Sequence, residues 1–214
     1  MDVCVVDYGS GNLRSAAKAL ERAMAEAGSK GTVRVTHERH HIQNAGRIVL
    51  PGVGAFADCQ AGIKAIPGLW QDLDDAVSKQ GKPLLGICVG MQLLADWGRE
   101  FGDTAGFGWV PGEVQPITPS DKTLKIPHMG WNNLSFCGKP HALLEGIVEG
   151  AHAYFVHSYA FHCADAADQM ATVDYGGAIT AAIARGNVAG TQFHPEKSQA
   201  VGLRLLTNFL KWTP

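Results

Sequence analysis

Short apolar runs with no polar alternation recur at Val3–Val6, Arg47–Leu50 and Pro83–Ile87, and each is followed by a glycine-rich turn or directly by a helical pattern. A strand that alternates polar and apolar residues can leave one face in water. A strand that does not must be covered on both faces. Helical spacing supplies the covers. Leu13, Ala16, Ala17, Leu20, Met24 and Ala27 share one helical stripe that ends at Gly28, and further helical patterns run over about 58–65, 69–79 and 89–97. Thr32–Thr36 alternates like a strand. The alternation predicts an α/β fold with a mostly parallel central sheet flanked by helices. Beyond about Gly112 the pattern changes to short strands between turns, at 113–117, 131–136, 153–157, 171–175, 178–183 and 188–193, which predicts an antiparallel extension. A final amphipathic helix carries Val201, Leu205, Leu206, Phe209 and Leu210, with Ser198 at its N-cap. With no repeat, linker or low-complexity segment, residues 1–214 read as one domain.

Composition removes several classes of function. Hydrophobic residues make up 46% of the chain and charged residues 18%, which is a globular balance. The net charge of −2 offers no basic field for nucleic acid or anionic lipid. Five cysteines, an odd number with no C-x-x-C spacing, argue against a disulfide framework or a zinc ribbon and for a reducing compartment. The N-terminus lacks a basic region and its apolar run stops at Asp7, and the apolar stretch of residues 83–95 is interrupted by Gln92 and too short to span a bilayer. A cytoplasmic protein is expected. The nine histidines include no H-E-x-x-H, and the neighbours His40 and His41 point apart in regular structure, so neither a metal nor another cofactor is expected.

The chemistry concentrates at Gly86-Ile87-Cys88-Val89-Gly90, between the strand Pro83–Ile87 and the next helix. This is a nucleophile elbow with Cys in place of Ser. The turn strains its central residue, needs small neighbours, and lifts the side chain above the carboxyl edge of the sheet. The positive end of the helix then faces the sulfur, favouring thiolate, and the Val89 N–H is placed to stabilise an oxyanion. The same five residues also suit a buried structural cysteine in a tight turn. Cys4, Cys59, Cys137 and Cys163 lack any such frame. A thiol that attacks a carbonyl needs a base. His194 is delivered by the strand Val188–Phe193, and Glu196 follows after a rigid Pro195, so both can face one side. Glu196 would orient His194 and His194 would serve Cys88. The bland reading is a surface His and Glu opening a helix.

The segments Gly86-Ile-Cys88-Val-Gly90-Met-Gln92 and His194-Pro-Glu196 resemble the class I (triad) glutamine amidotransferases. Residues 7–15 (Asp-Tyr-Gly-Ser-Gly-Asn-Leu-Arg-Ser), 50–56 (Leu-Pro-Gly-Val-Gly-Ala-Phe), 127–132 (Pro-His-Met-Gly-Trp-Asn), 154–159 (Tyr-Phe-Val-His-Ser-Tyr) and 190–198 (Gly-Thr-Gln-Phe-His-Pro-Glu-Lys-Ser) narrow the resemblance to the branch that serves as glutaminase subunits of imidazole glycerol phosphate synthases. Val89 departs from the Leu usual there, but the backbone N–H does the oxyanion work. The resemblance implies a flavodoxin-like sheet and release of ammonia from glutamine by Cys88, His194 and Glu196. It implies an oxyanion hole from the N–H groups of Val53 and Val89, and glutamine contacts from Gly52, Gly54, Gln92, Ser158 and Tyr159. The implied partner is a TIM-barrel cyclase subunit in one-to-one pairing, reached through Asn12, Trp131 and Lys197. That subunit would use the ammonia on a phosphoribosyl-formimino carboxamide nucleotide, giving imidazole glycerol phosphate and aminoimidazole carboxamide ribotide in histidine biosynthesis.

Glycines on both sides of Val53 make a peptide flip inexpensive. The expectation is therefore a resting loop that keeps the oxyanion hole closed until the partner docks. Three rivals stand beside this reading. A glutaminase for anthranilate or purine synthesis would lack the 127–132 segment, a cysteine peptidase would act without a partner, and a non-catalytic subunit would have lost Cys88 or His194.

Overall fold

The computed structural model describes residues 1–214. Its elements in chain order are β1 (Val3–Val6), α1 (Leu13–Glu26), β2 (Val33–Thr36), α2 (Arg39–Asn44), β3 (Arg47–Gly52), α3 (Phe56–Ala65), α4 (Leu69–Asp74), β4 (Leu84–Cys88), α5 (Val89–Gln92), β5 (Trp97–Gly98), β6 (Thr104–Ala105), β7 (Gly112–Pro116), β8 (His128–Asn133), β9 (Ser135–Phe136), β10 (His152–His157), β11 (Tyr159–Cys163), β12 (Gln169–Asp174), β13 (Ala178–Arg185), β14 (Val188–Thr191) and α6 (Gln199–Lys211). The main sheet has the order β2-β1-β3-β4-β14-β13-β12-β9. Pairing is parallel from β2 to β14 and antiparallel from β14 to β9. Its first four strands follow the flavodoxin-like 2-1-3-4 order. Every residue of β1, β3, β4 and β14 is buried, as unalternating runs require. The helix α1 lies on α6, and α4 packs on α2 and α3, so the helices that cover the sheet form two groups. A four-stranded sheet, β11-β7-β5-β6, and the pair β10-β8 complete the molecule. No helix is long and apolar enough to cross a membrane.

Register places the chemistry. Gly52 at the end of β3 stands opposite Cys88 at the end of β4, and Thr191 of β14 stands opposite Ile87. The ends of three adjacent parallel strands therefore converge where ligands bind in open α/β sheets.

Local differences from the sequence reading have identifiable causes. The helix expected over 89–97 stops at Gln92. Beyond it the carbonyls of Leu93, Leu94, Ala95 and Asp96 accept from the N–H groups of Phe107, Val110, Gly108 and Gly106, so the segment 106–110 takes acceptors that a longer helix would use. The helix expected over 69–79 finishes as a π turn, Asp75–Lys79. Ser198 occupies the position before α6, but its hydroxyl makes no cap bond; it turns back to the His194 carbonyl at 2.7 Å and accepts from the Tyr154 N–H at 3.0 Å. Residues α2 and β11 were not expected as elements. His40 and His41 do not point apart: their rings lie 3.8 Å apart, on the exposed side of α2.

Candidate active site

Cys88 closes β4 with φ +55° and ψ −114°, a left-handed conformation that a non-glycine residue holds only when its surroundings impose it. The imposition is visible at its neighbours. A Cβ on Gly90 would overlap the Leu50 carbonyl oxygen, and one on Gly86 would lie 2.6 Å from the Gly90 oxygen. The two glycines let α5 start hard against β3, with the Val89 N–H in its unpaired first turn beside the sulfur. Gln192, fully buried, donates from Nε2 to the Cys88 sulfur at 3.7 Å.

His194 follows β14. Its backbone N–H is held by the Tyr154 carbonyl at 3.0 Å, and the 3-10 turn Pro195–Lys197 brings the Glu196 carboxylate under the ring. Nδ1 lies 2.9 Å from Glu196 Oε1, and both side chains are 2% exposed. Nε2 makes no hydrogen bond. Burial opposes a charged ring, but the Cys88 sulfur and the Glu196 carboxylate outweigh it and hold His194 up at about 9. Glu196 is pushed up by burial and pulled down more strongly by His194 and Asn12, so its carboxylate stays below the usual range. Burial raises the Cys4 and Cys163 thiols to about 12, away from reactive thiolate, and pushes Cys59 up as well.

A cleft of about 310 Å³ joins these groups. Its lining includes Val53, Gly54, Cys88, Val89, Gln92, Ser158, Tyr159 and His194. Those include the expected nucleophile and base, both expected oxyanion residues and most of the expected glutamine contacts; Gly52 lies just behind, opposite Cys88. Glu100, Pro127 and His157 also line it and were not read from the sequence. Glu100 is the one carboxylate on the cleft wall, and its Oε2 accepts from the Phe56 N–H at 2.8 Å. Gln92 does not stand free, since its Nε2 donates to the Tyr159 carbonyl at 3.1 Å and to Gln192 Oε1 at 3.0 Å.

The loop expected to supply an oxyanion donor has both polar groups of Val53 engaged. The Val53 N–H donates to the Ser10 hydroxyl at 3.1 Å, and that hydroxyl donates to the Val53 carbonyl at 2.7 Å. Cys59 also donates to this carbonyl at 3.3 Å. Just upstream, the Tyr8 hydroxyl donates to the Pro51 carbonyl at 2.6 Å and anchors the end of β3. Val53 thus keeps its N–H on Ser10 in this structure.

Of the three residues assigned to the partner face, Trp131 is 47% exposed on β8 beside Met129 at 62%, and Lys197 is exposed. Trp131 stands edge-on to Tyr154 at 5.9 Å, and the Lys197 ammonium lies 5.8 Å from the same ring, so the three form one patch. Asn12 is half-buried instead, and its amide donates to Glu196 Oε1 at 3.3 Å. A wider groove of about 1140 Å³ between α1 and α6 is lined by no cysteine and no histidine.

A thiol elbow, an oriented histidine and a glycine-rich loop at the strand ends of such a sheet define the class I glutamine amidotransferases, and the family model described as Glutamine amidotransferase class-I matches residues 4–212. A protein of Rhodospirillum rubrum named imidazole glycerol phosphate synthase subunit HisH is 56% identical over 214 residues, covering 100% of both chains. The protein of the same name from Mesorhizobium japonicum is 53% identical over 217 residues, again covering 100% of both. A crystal structure of a glutamine amidotransferase shares the fold at TM-score 0.69 and 18% identity, over 97% of each chain. The chain belongs to the class I glutamine amidotransferases, in the group of HisH subunits of imidazole glycerol phosphate synthase.

Proposed function

We propose that residues 1–214 work as one glutaminase unit, hydrolysing L-glutamine to L-glutamate and ammonia and passing the ammonia to a cyclase subunit paired with it one to one. The observation that carries the reading is His194, whose Nδ1 is held by Glu196 while its unpartnered Nε2 serves the cleft that contains Cys88. The Cys88 thiolate attacks the carboxamide carbon, and the carbonyl π electrons move to oxygen. Protonated His194 gives its proton to the nitrogen as the C–N bond breaks, releasing ammonia and leaving a glutamyl thioester. His194, now neutral, takes a proton from water; the hydroxide attacks the thioester, and glutamate leaves as the thiolate returns. Within the cleft Glu100 would face the ammonium of glutamine, and Gln92, Ser158 and Tyr159 would hold its backbone atoms.

The oxyanion needs two donors, and Val53 lends one only after its peptide turns from Ser10. In a trans peptide N–H and C=O point in opposite directions, so this turn also moves the Gly52 carbonyl. Docking of the cyclase, a TIM barrel, against Trp131, Tyr154 and Lys197 would favour the turned state, with Asn12 acting through Glu196. The established family role is thereby tied to control: little glutamine is hydrolysed until its ammonia has a consumer. Five unpaired cysteines suit a cytoplasmic setting. Glutamate release from glutamine, by the chain alone and with the cyclase and its nucleotide, tests the reading. Strong stimulation that disappears in Cys88→Ala supports it. Peptide hydrolysis without any partner, or undiminished glutaminase in Cys88→Ala, would sink it.

A further inference from the structure

The strands β8 and β10 pair antiparallel with His128 opposite His157, and the two rings are 2% and 6% exposed. His128 Nδ1 lies 2.9 Å from His157 Nε2, and His157 Nδ1 lies 2.8 Å from the Tyr159 carbonyl. At the far end Asn132 Nδ2 lies 3.2 Å from His128 Nε2. The orientation of the Asn132 amide is fixed, because its Oδ1 accepts from the Asn133 N–H at 2.8 Å and its Nδ2 donates to the Asp174 carbonyl at 2.9 Å.

Those contacts order the protons. A neutral imidazole carries one N–H and one acceptor nitrogen. Asn132 donates to His128 Nε2, so the His128 proton sits on Nδ1 and points to His157 Nε2. The His157 proton then sits on its own Nδ1 and points to the Tyr159 carbonyl. Burial holds both rings down at about 4, so both are neutral at pH 7. The Tyr159 carbonyl also accepts from Gln92, which bonds Gln192, which donates to Cys88. His157, Ser158 and Tyr159 line the Cys88 cleft, whereas β8 shows Met129 and Trp131 to solvent.

We propose that His128 and His157 are positioning residues for glutamine binding, whose one-directional hydrogen-bond chain from Asn132 fixes the Tyr159 carbonyl and with it the 158–159 wall of the cleft. This rests on the glutaminase reading. A merely structural role would need only a flat ring at position 128, stacked on Phe155 at 4.9 Å and near Tyr175 at 4.1 Å.

The test separates the two. His128→Phe keeps the ring and deletes the donor; His128→Asn gives up the ring and keeps an N–H near the place of Nδ1. In the complex with the cyclase, His128→Phe should raise the KM for glutamine about tenfold with kcat changed less than threefold, the loss expected for one buried donor. His128→Asn should return the KM to within threefold of wild type. Equal KM values for His128→Phe and wild type, or a larger loss in His128→Asn than in His128→Phe, would overturn the proposal. A second measurement needs no activity: nitrogen NMR of the labelled full chain at pH 7 should show both rings as the Nδ1–H tautomer, the minority form in water. The Nε2–H tautomer at either ring overturns the proposal by itself. A wild-type complex that turns over no glutamine overturns the glutaminase reading and leaves the tautomer result standing, so the two failures are distinguishable.

Discussion

Replacing Ser10 with Ala should raise glutamine hydrolysis by the isolated chain. The Ser10 hydroxyl is the acceptor that holds the Val53 N–H at 3.1 Å, and it also donates to the Val53 carbonyl. Deleting it leaves the carbonyl with the Cys59 thiol at 3.3 Å, so the interaction lost is chiefly the one on the N–H. A neutral hydrogen bond near solvent is worth about 1 kcal/mol net, which is about a fivefold shift in an equilibrium. If the resting orientation dominates, the partner-free rate rises about fivefold. The rate in the complex should change little if docking turns Val53 as proposed, so the stimulation factor should fall by the same amount. Glutamate release, followed by a coupled dehydrogenase with and without the cyclase, gives both numbers. Ser10→Thr keeps the hydroxyl and should keep the wild-type rate. A partner-free rate for Ser10→Ala equal to wild type, in a variant that melts normally, would refute the reasoning, for then Ser10 does not hold the resting state.

Glu196→Gln removes one of the charges that hold His194 up, so the His194 pKa should fall and kcat should drop about a hundredfold or more, read from pH–rate profiles of the complex. Acid should destabilise the fold well above the carboxylate range. His128 and His157 have folded values of about 4 against an ordinary 6.5, so the unfolded chain takes up protons that the folded chain refuses. Stability then falls as pH drops from about 6.5 to about 4, by up to about 3 kcal/mol per ring, and urea midpoints should show a shallower fall in His128→Asn. Trp131→Ala with Lys197→Ala should weaken cyclase binding about tenfold, measured by titration calorimetry, and leave the melting temperature of the isolated chain unchanged because both side chains are exposed.

The elbow and the His194–Glu196 pair were legible because their chemistry forces local sequence: small residues around a strained nucleophile, and two residues in one turn on one side. The parallel core was legible because strands buried on both faces leave no polar alternation. What escaped depends on pairing between distant segments. His128 and His157 form a pair only because β8 and β10 align, 29 positions apart. Glu100 reaches the cleft through a loop with no periodic signal. The helix α2 carries Ile42 as its one buried residue, too little for a helical stripe. The helix after the elbow was overestimated because its apolar residues are buried on every side, where periodicity says nothing about which N–H claims each carbonyl. Gln192 did leave a trace, a polar side chain in the run that delivers His194, and buried polar groups in such runs point at something.

The site divides into a finished half and an unfinished half, and that division says where control can act. The His194–Glu196 pair is assembled and dry, at 2.9 Å with both side chains 2% exposed. Breaking so buried a pair costs several kcal/mol, far more than an interface lends to one contact. Val53 is 39% exposed and held by bonds worth about 1 kcal/mol each. A partner regulating this enzyme therefore gains more by turning one peptide than by rearranging the triad, and one missing oxyanion donor changes the rate by about 10²–10³. A switch of that size, thrown at so small a cost, would require an exposed loop and a buried histidine–carboxylate pair, and Val53 is exposed while the His194 and Glu196 side chains are buried.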